Sequence, residues 1–484
     1  MELLNIGHKP FSLYLTHYPT ETQTNIMHQP NSTTGTGSIY VNPSRILSLD
    51  VLRGIALLGL LLISVREFGG FTNNQQLFYI TGTHGWNFKL MAAINILLDG
   101  KMLALFALVF GAGMLLYVHT KKFPVAITPA DAFIRKQMWL MGFGLVNAIL
   151  LLWPSDILFS FGMAGILLFA FTRMKAKGLF ILAIVCTLVY CGKLYWNYTD
   201  DQKVHNKWKE VTLVEKKIKA DSALGKKDTL TKKQTEDKER WEGMVKSFKY
   251  DSAATASEKK EMGKNWPKVF SHLLPVTQRR ESVWFYRTGV WEISAMVFLG
   301  MALFSIGFFT ARFKMTSYLL VGLLFTLVGF ALAWWRIKAN GARIIDYNDY
   351  IDHHPLPYNI FFPFERGLMA LGYASIVMAF LGSSLLQWKW KLFAVVGQMA
   401  LTNYILQTII CTLFFYGYGF GNFGHLNQWQ LLFFVAEVVL VQVVFSVFWL
   451  RYYYMGPLEW LLRCLVYRKR LPNRKPITAE QNPS

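Results

Sequence analysis

Charge is scarce in this chain. Asp, Glu, Lys and Arg make up 16% of its 484 residues, while 53% are apolar. Soluble domains carry roughly a quarter charged residues, so one soluble core of this length is excluded. Cysteine is nearly absent. Cys186, Cys191 and Cys411 lie inside apolar runs, Cys464 follows the last run, and no CxxC occurs. This excludes a disulfide framework and a thiolate metal site and leaves buried apolar thiols. No Walker A loop, HExxH helix or GxSxG elbow is found. An ATP-driven pump within this chain, a zincin and an elbow-type serine hydrolase are excluded accordingly. Residues 1–44 lack a basic region followed by an apolar one. They are polar and rich in Thr, Asn and Ser, and read as a disordered extension, not a secretory signal.

Long apolar runs are abundant. Ten fall at 46–65, 94–117, 133–152, 157–171, 178–196, 291–309, 317–335, 364–386, 392–415 and 431–449. Most approach the ~20 residues that cross a ~30 Å hydrocarbon core, and the fourth is short. The reading is an all-α, polytopic membrane bundle of about ten transmembrane helices. It divides into a disordered extension (1–44), helices one to five (45–196), a charged insert (197–287), helices six to ten (288–467) and a basic tail (468–484).

The formal charge of +21 does not point to nucleic acid, because of where it sits. Lys121, Lys122, Arg135 and Lys136 fall between runs two and three, and Arg173, Lys175 and Lys177 between four and five. Arg312 and Lys314, then Lys389 and Lys391, then Arg468, Lys469 and Arg470 follow the same alternation. The opposite connectors, 153–156 and 416–429, have almost no Lys or Arg. Basic connectors stay in the cytoplasm. Both termini are therefore expected there, in a cell (inner) membrane, with membrane lipids as partners. The Lys-rich insert is expected outside as a solvated helical hairpin, because 211–220 and 238–249 have helix-forming composition with spaced apolar residues.

Ionisable residues within spans are functional candidates by default. Asp50 and Arg53, at i and i+3, share a face and can pair. They read either as a structural ion pair that fixes the helix or as an anion site near the cytoplasmic end. Near the other end, Asp99, Lys101, Asn147, Asp156, Glu292, Glu365 and Arg366 lie at similar depth, which predicts one shared polar cavity. Asn403 and Gln407 share a face in span nine, as interhelical hydrogen bonds or as lining of a substrate path.

Five stretches carry a resemblance. They are Arg45-Ile-Leu-Ser-Leu-Asp-Val-Leu-Arg-Gly, Leu105-Phe-Ala-Leu-Val-Phe-Gly-Ala-Gly and Trp153-Pro-Ser-Asp-Ile-Leu, with Gly397-Gln-Met-Ala-Leu-Thr-Asn-Tyr-Ile-Leu-Gln-Thr and Arg451-Tyr-Tyr-Tyr-Met-Gly-Pro-Leu-Glu-Trp-Leu-Leu-Arg. From about residue 45 to 467, the insert excepted, the chain resembles the YeiB-like membrane proteins with domain of unknown function 418. That family looks related to transmembrane acyltransferases such as heparan-alpha-glucosaminide N-acetyltransferase and bacterial O-acetyltransferases. The resemblance implies acyl transfer from cytoplasmic acyl-CoA to an extracytoplasmic glycan or lipid, on a ten-helix core compatible with a homodimer. Acyl-CoA would be the cosubstrate, with no permanently bound cofactor and no metal expected. Members often have a His before a Trp-x-Gly-Asp-Ile-Leu motif. Here Asn147 takes the His position and Ser155 the Gly position. Asn cannot titrate, so Asp156 or Glu365 would serve as base. Arg53 would hold donor phosphates with Asp50 orienting it, and Lys101, Asn147 and Arg366 would stabilise developing charge. A transporter or flippase for a small anionic or amphipathic solute is the alternative, since intramembrane ion pairs and polar half-helices suit that role equally.

Overall fold

The computed structural model describes residues 46–70, 85–120, 127–222, 229–381 and 387–476. The expected disordered extension and the connector residues Lys121 and Lys122 lie outside these. The described residues are helical, with a single isolated bridge between Tyr453 and Arg474 and no strand.

In chain order the helices are α1 (Leu47–Phe68), α2 (Trp86–Leu97), α3 (Lys101–Thr120), α4 (Pro129–Leu145), α5 (Leu158–Leu168), α6 (Ala176–Ser222), α7 (Lys232–Ser247), α8 (Ser252–Met262) and α9 (Trp266–Arg279). There follow α10 (Val290–Ser305), α11 (Met315–Ile345), α12 (Tyr347–His353), α13 (Phe362–Leu381), α14 (Gln387–Gln398), α15 (Ala400–Phe415), α16 (Gln428–Tyr452) and α17 (Pro457–Tyr467). Two π-helical stretches interrupt this series, Val146–Leu150 after α4 and Arg280–Gly289 between α9 and α10.

Seven described helices are long and apolar enough to cross a membrane, or eight if a bent pair is one span. The bent pair is α14 with α15, which meet at 79°. The other two expected runs correspond to α4 with its π stretch and to the shorter apolar helix Leu158–Phe171. α1 is the hub, packing against α3, α13, α14, α15 and α16. α11 is peripheral and turns Leu320, Leu323, Leu324 and Leu327 outward. An apolar stripe of that extent suits lipid contact.

The expected insert boundaries shift. Span five does not end near Trp196 but continues to Ser222 as one 47-residue helix, about 70 Å long at 1.5 Å per residue. The rod leading into span six starts at Trp266, ahead of 291. Its charged residues Arg279, Arg280, Glu281 and Arg287 hide that continuity from a hydropathy reading. The hairpin of α6 and α7 forms, and it is docked. Trp241 is fully buried and donates through Nε1 to Asn348 Oδ1 at 2.8 Å. Tyr347 stacks on Trp241 at 5.3 Å and donates to Asp201 at 3.0 Å.

The ninth span is broken, and two resemblance-bearing stretches explain how. The first turn of α15 presents backbone N–H groups without helical partners. Glu459 at the start of α17 accepts from Leu401 N at 2.7 Å and Thr402 N at 3.1 Å. Thr402 Oγ1 in turn accepts from Leu458 N at 3.1 Å. The two motifs thus form one cap.

Close packing also rests on glycine. A Cβ on Gly111 would collide with the Val297 carbonyl, and one on Gly300 with the Leu108 carbonyl, so α3 and α10 meet backbone to backbone. Gly113 has only Arg53 at 3.9 Å beside it. Gly111→Ala is expected to cost ~1–3 kcal/mol through overpacking, whereas Gly113→Ala should leave the unfolding temperature in detergent unchanged.

The insert's docking is expected to depend on pH. His205 is buried between Trp208 and Trp241, with Nε2 3.0 Å from Asp352 Oδ1. Burial holds its imidazole below the ordinary value, and the Asp352 carboxylate opposes that shift. An undocked ring takes up its proton near ~6.5, while the docked ring does so only at lower pH. Stability from the neutral ring is therefore full above that value and is lost as pH falls below it. Tryptophan fluorescence and protease access should report a looser hairpin at pH 5 than at pH 7, and His205→Asn should flatten the difference.

Candidate functional site

The residues expected to share one cavity fall into two groups, and no hydrogen bond or ion pair joins the two among the described residues. The first is a buried ion network between the α2–α3 turn, α11 and α13. Glu365 and Lys101 are both fully buried and paired to each other. Arg336 donates from Nε to Glu365 Oε2 at 2.8 Å and from Nη2 to Oε1 at 3.1 Å, a bidentate fork. Asp99 lies 4.0 Å from Arg336, and Lys101 also donates to the Asn95 carbonyl at 3.0 Å. One residue on, Arg366 pairs with Glu292. Both Glu365 oxygens are already engaged by Lys101 and Arg336, so Glu365 is poorly placed to act as a base.

The second group surrounds Asp156, in the connector between the π stretch Val146–Leu150 and α5. Leu152 opens the connector in a left-handed conformation, φ +59°, sparsely populated for a branched residue. Trp153 stacks on Phe68 at 3.7 Å, and Ser155 donates to Glu67. The connector is thereby fixed to the end of α1. Asp156 is 2% exposed and has no cation bonded to it. Its hydrogen-bond donors are neutral, Asn147 Nδ2 to Oδ1 at 2.8 Å and Phe159 N to Oδ2 at 2.9 Å, with the Leu158 N–H and the Tyr404 hydroxyl close by. Tyr404 also accepts from Ile157 N at 3.1 Å. Burial lifts the Asp156 carboxyl to about 6, against the pull of these donors. That value suits proton exchange near neutrality.

Asn147 belongs to the first π stretch, and Glu281, on which the Asp156 carboxylate acts electrostatically, to the second. The first stretch packs against α9, whose Trp266 Nε1 donates to the Leu150 carbonyl at 3.2 Å, and the second packs against α5. π turns occur mostly as single insertions, frequently at functional sites, so two beside one buried acid mark this place strongly.

Asp50 and Arg53 do pair, at 2.9 Å, near the opposite end of α1. They line a cavity of ≈ 160 Å³ with Ile46, Leu49, Leu116 and Gln398. Lys136 stands within electrostatic range of both Arg53 and Arg463, so three cations gather there. Asn403 and Gln407 are buried and bonded toward α16. Asn403 donates to Ser446 at 2.9 Å, and Gln407 donates to Gln442 at 3.1 Å. This is the interhelical pattern.

Sequence reading did not single out Glu281, Tyr404, Arg336 or Arg463. Glu281 lay among the charges assigned to the insert, and Arg336 just beyond the seventh run. Tyr404 sits one residue after Asn403 within a resemblance motif, which was its available signal.

The fold and these sites define a polytopic α-helical membrane protein with polar groups buried at both ends of its central helix. Residues 303–469 match a family model described as "Protein of unknown function (DUF418)". The chain is 28% identical over 442 residues to "Uncharacterized protein YeiB" of Escherichia coli (strain K12), covering 88% of this chain and 98% of that one. It is 25% identical over 447 residues to "Uncharacterized protein YxaH" of Bacillus subtilis (strain 168), covering 89% and 96%. No solved structure matches. These matches support placement of the chain in a YeiB-like DUF418 family.

Removing the shared carboxylate of the ion network should be severe. Glu365→Gln leaves Lys101 and Arg336 buried without their counter-charge, an expected loss of ~3–5 kcal/mol. Thermal unfolding in detergent should show it, and adding Lys101→Met should recover part of the loss.

Proposed function

We propose that this protein is a membrane acyltransferase that moves an acyl group from acyl-CoA to a glycan or lipid acceptor on the other side of the membrane. The observation that carries the reading is the pairing of two unlike sites along α1. A recess lined by the Asp50–Arg53 pair, with Lys136 and Arg463 in electrostatic range, lies near one end, and a buried carboxyl with neutral donors is fixed to the other. Arg53 and Glu67, which mark the two ends, are 14 residues apart, or ~21 Å along a helix. An extended phosphopantetheine arm is of comparable length.

In this scheme Arg53, oriented by Asp50 and assisted by Lys136 and Arg463, holds the donor phosphates. Arginine suits phosphate through its planar fork. Asp156 takes the proton of the acceptor hydroxyl as the hydroxyl oxygen attacks the acyl carbon, and Asn147 and Tyr404 keep the carboxylate in place. Lys101 and Arg366, engaged with Glu365 and Glu292, have no part in it. In this reading the Arg53 end and both termini lie in the cytoplasm of a cell membrane and the Asp156 end and the insert outside, which the basic connectors support.

A transporter or flippase is the second reading, favoured by the 79° break between α14 and α15. Broken helices line transport sites in many carriers.

Full-length protein incubated with labelled acetyl-CoA and envelope extract should pass label to an acceptor. Asp156→Ala should abolish the transfer, and Arg53→Ala should raise the acetyl-CoA needed at least ~10-fold, the equivalent of ~1.4 kcal/mol of lost binding. Absence of both acetyl-CoA binding and Asp156-dependent transfer would defeat the reading. Solute flux in proteoliposomes without cosubstrate would favour the second.

A further inference from the structure

One half-buried acid with a sealed carboxyl has no part in the transfer scheme. Glu281 is the second residue of the π stretch Arg280–Gly289. Both of its carboxyl oxygens are sealed from solvent, and neither has a hydrogen-bond donor. An ionised carboxylate in that condition is strongly disfavoured by desolvation, so a proton or a donor-bearing ligand must meet it.

The charged groups facing Glu281 are two. Asp156, on the 153–156 connector, repels it, and Arg280, its neighbour on the same turn, attracts it. Arg280 is only a partial remedy, because its Nε is buried without an acceptor and its guanidinium lies 4.7 Å over the Trp284 ring. Asp156 in turn faces Asn147, Tyr404 and the first backbone N–H groups of α5. The donors at the site are therefore all on one acid. Two carboxyls in electrostatic contact do not both ionise readily. The one held by donors keeps the charge, and the one with none keeps the proton. Environments that divide a pair in this way assign acid and base.

A second observation points to a ligand. Asn147 is fully buried, its amide lies against Asp156, and its Oδ1 has no donor. With Glu281 protonated, the site has two sealed acceptors in need of donors, the Glu281 carbonyl oxygen and Asn147 Oδ1, and one O–H in need of an acceptor. Hydroxyl groups supply donors of that kind.

We propose that Glu281 and Asp156 form one acid–base pair, Glu281 protonated and Asp156 ionised at neutral pH, which receives a hydroxyl-bearing acceptor. The use of the pair rests on the transfer reading; its existence does not. As the hydroxyl oxygen bonds to the acyl carbon and the C–S bond breaks, the hydroxyl proton passes to Asp156. The departing thiolate takes the Glu281 proton, and a proton shift from Asp156 to Glu281 restores the starting state. Acyl ester and free thiol leave, and no other reactant is consumed.

Infrared spectroscopy of the full chain in lipid nanodiscs tests the pair without any substrate. At pH 7 a protonated-carboxyl C=O band is expected that moves on labelling with carbon-13 glutamate and is absent from Glu281→Gln. In labelled Asp156→Asn, alkaline loss of that band should begin at least ~1 pH unit lower, since the opposing charge is gone. A glutamate band that survives Glu281→Gln, or none in the wild type, would overturn the pair. If Glu281→Gln does not fold, an unshifted midpoint in Asp156→Asn overturns it instead. In the label-transfer assay Glu281→Gln should lose at least ~10-fold at neutral pH, and undiminished transfer would count against the role. Failure of wild-type transfer with the infrared result intact would sink the transfer reading alone.

Discussion

Burying charge where water cannot reach is the constraint on which this structure turns, and the protein meets it in two opposite ways. Around Glu365 the charge is matched by other charge. Lys101 and Arg336 converge on one carboxylate and tie the start of α3 to α11 and α13. Such a network specifies packing but leaves little capacity for chemistry, since both Glu365 oxygens are already held by cations. Around Asp156 the charge is met by neutral dipoles alone. That arrangement holds geometry as firmly while leaving the acid free to exchange a proton. The contrast separates a residue that holds the bundle together from one that can act.

Local backbone irregularity accompanies the second solution. Asn147 and Glu281 both sit in π-helical stretches, and Leu152 takes a left-handed conformation between them. Pro275, inside α9, removes one rung of the helical ladder shortly before the second stretch begins. Regular helices would carry these side chains at other angles about their axes. The irregular turns bring an amide and a carboxyl to the connector, which Trp153 and Ser155 fasten to α1.

Much of the architecture was legible in the sequence because it is written in period and composition. Apolar runs gave the membrane-embedded bundle, and the i, i+3 spacing of Asp50 and Arg53 gave their ion pair. The insert's helices were legible from spaced apolar residues such as Val211 and Trp241. Depth alone could not divide the outer polar residues, since residues at one level can face different neighbours around a bundle. Lys101 and Asp156 were therefore grouped and prove separate. Glu281 was lost among the charges of a segment that hydropathy assigns to water. The break before Ala400 was hidden as well, because the carboxylate that caps it arrives from Glu459, some sixty residues later in the chain.

The length of α6 has a mechanical meaning. One uninterrupted rod passes from Ala176 through the bilayer and out to Ser222, where α7 braces it and the aromatic cluster around Trp241 and Tyr347 clamps it to α11 and α12. No hinge separates the protruding arm from the portion held among the lipid tails. Anything that grips the arm from outside therefore has direct leverage on α10, against which the embedded half of the same rod is packed, and through α10 on the stretch that bears Glu281.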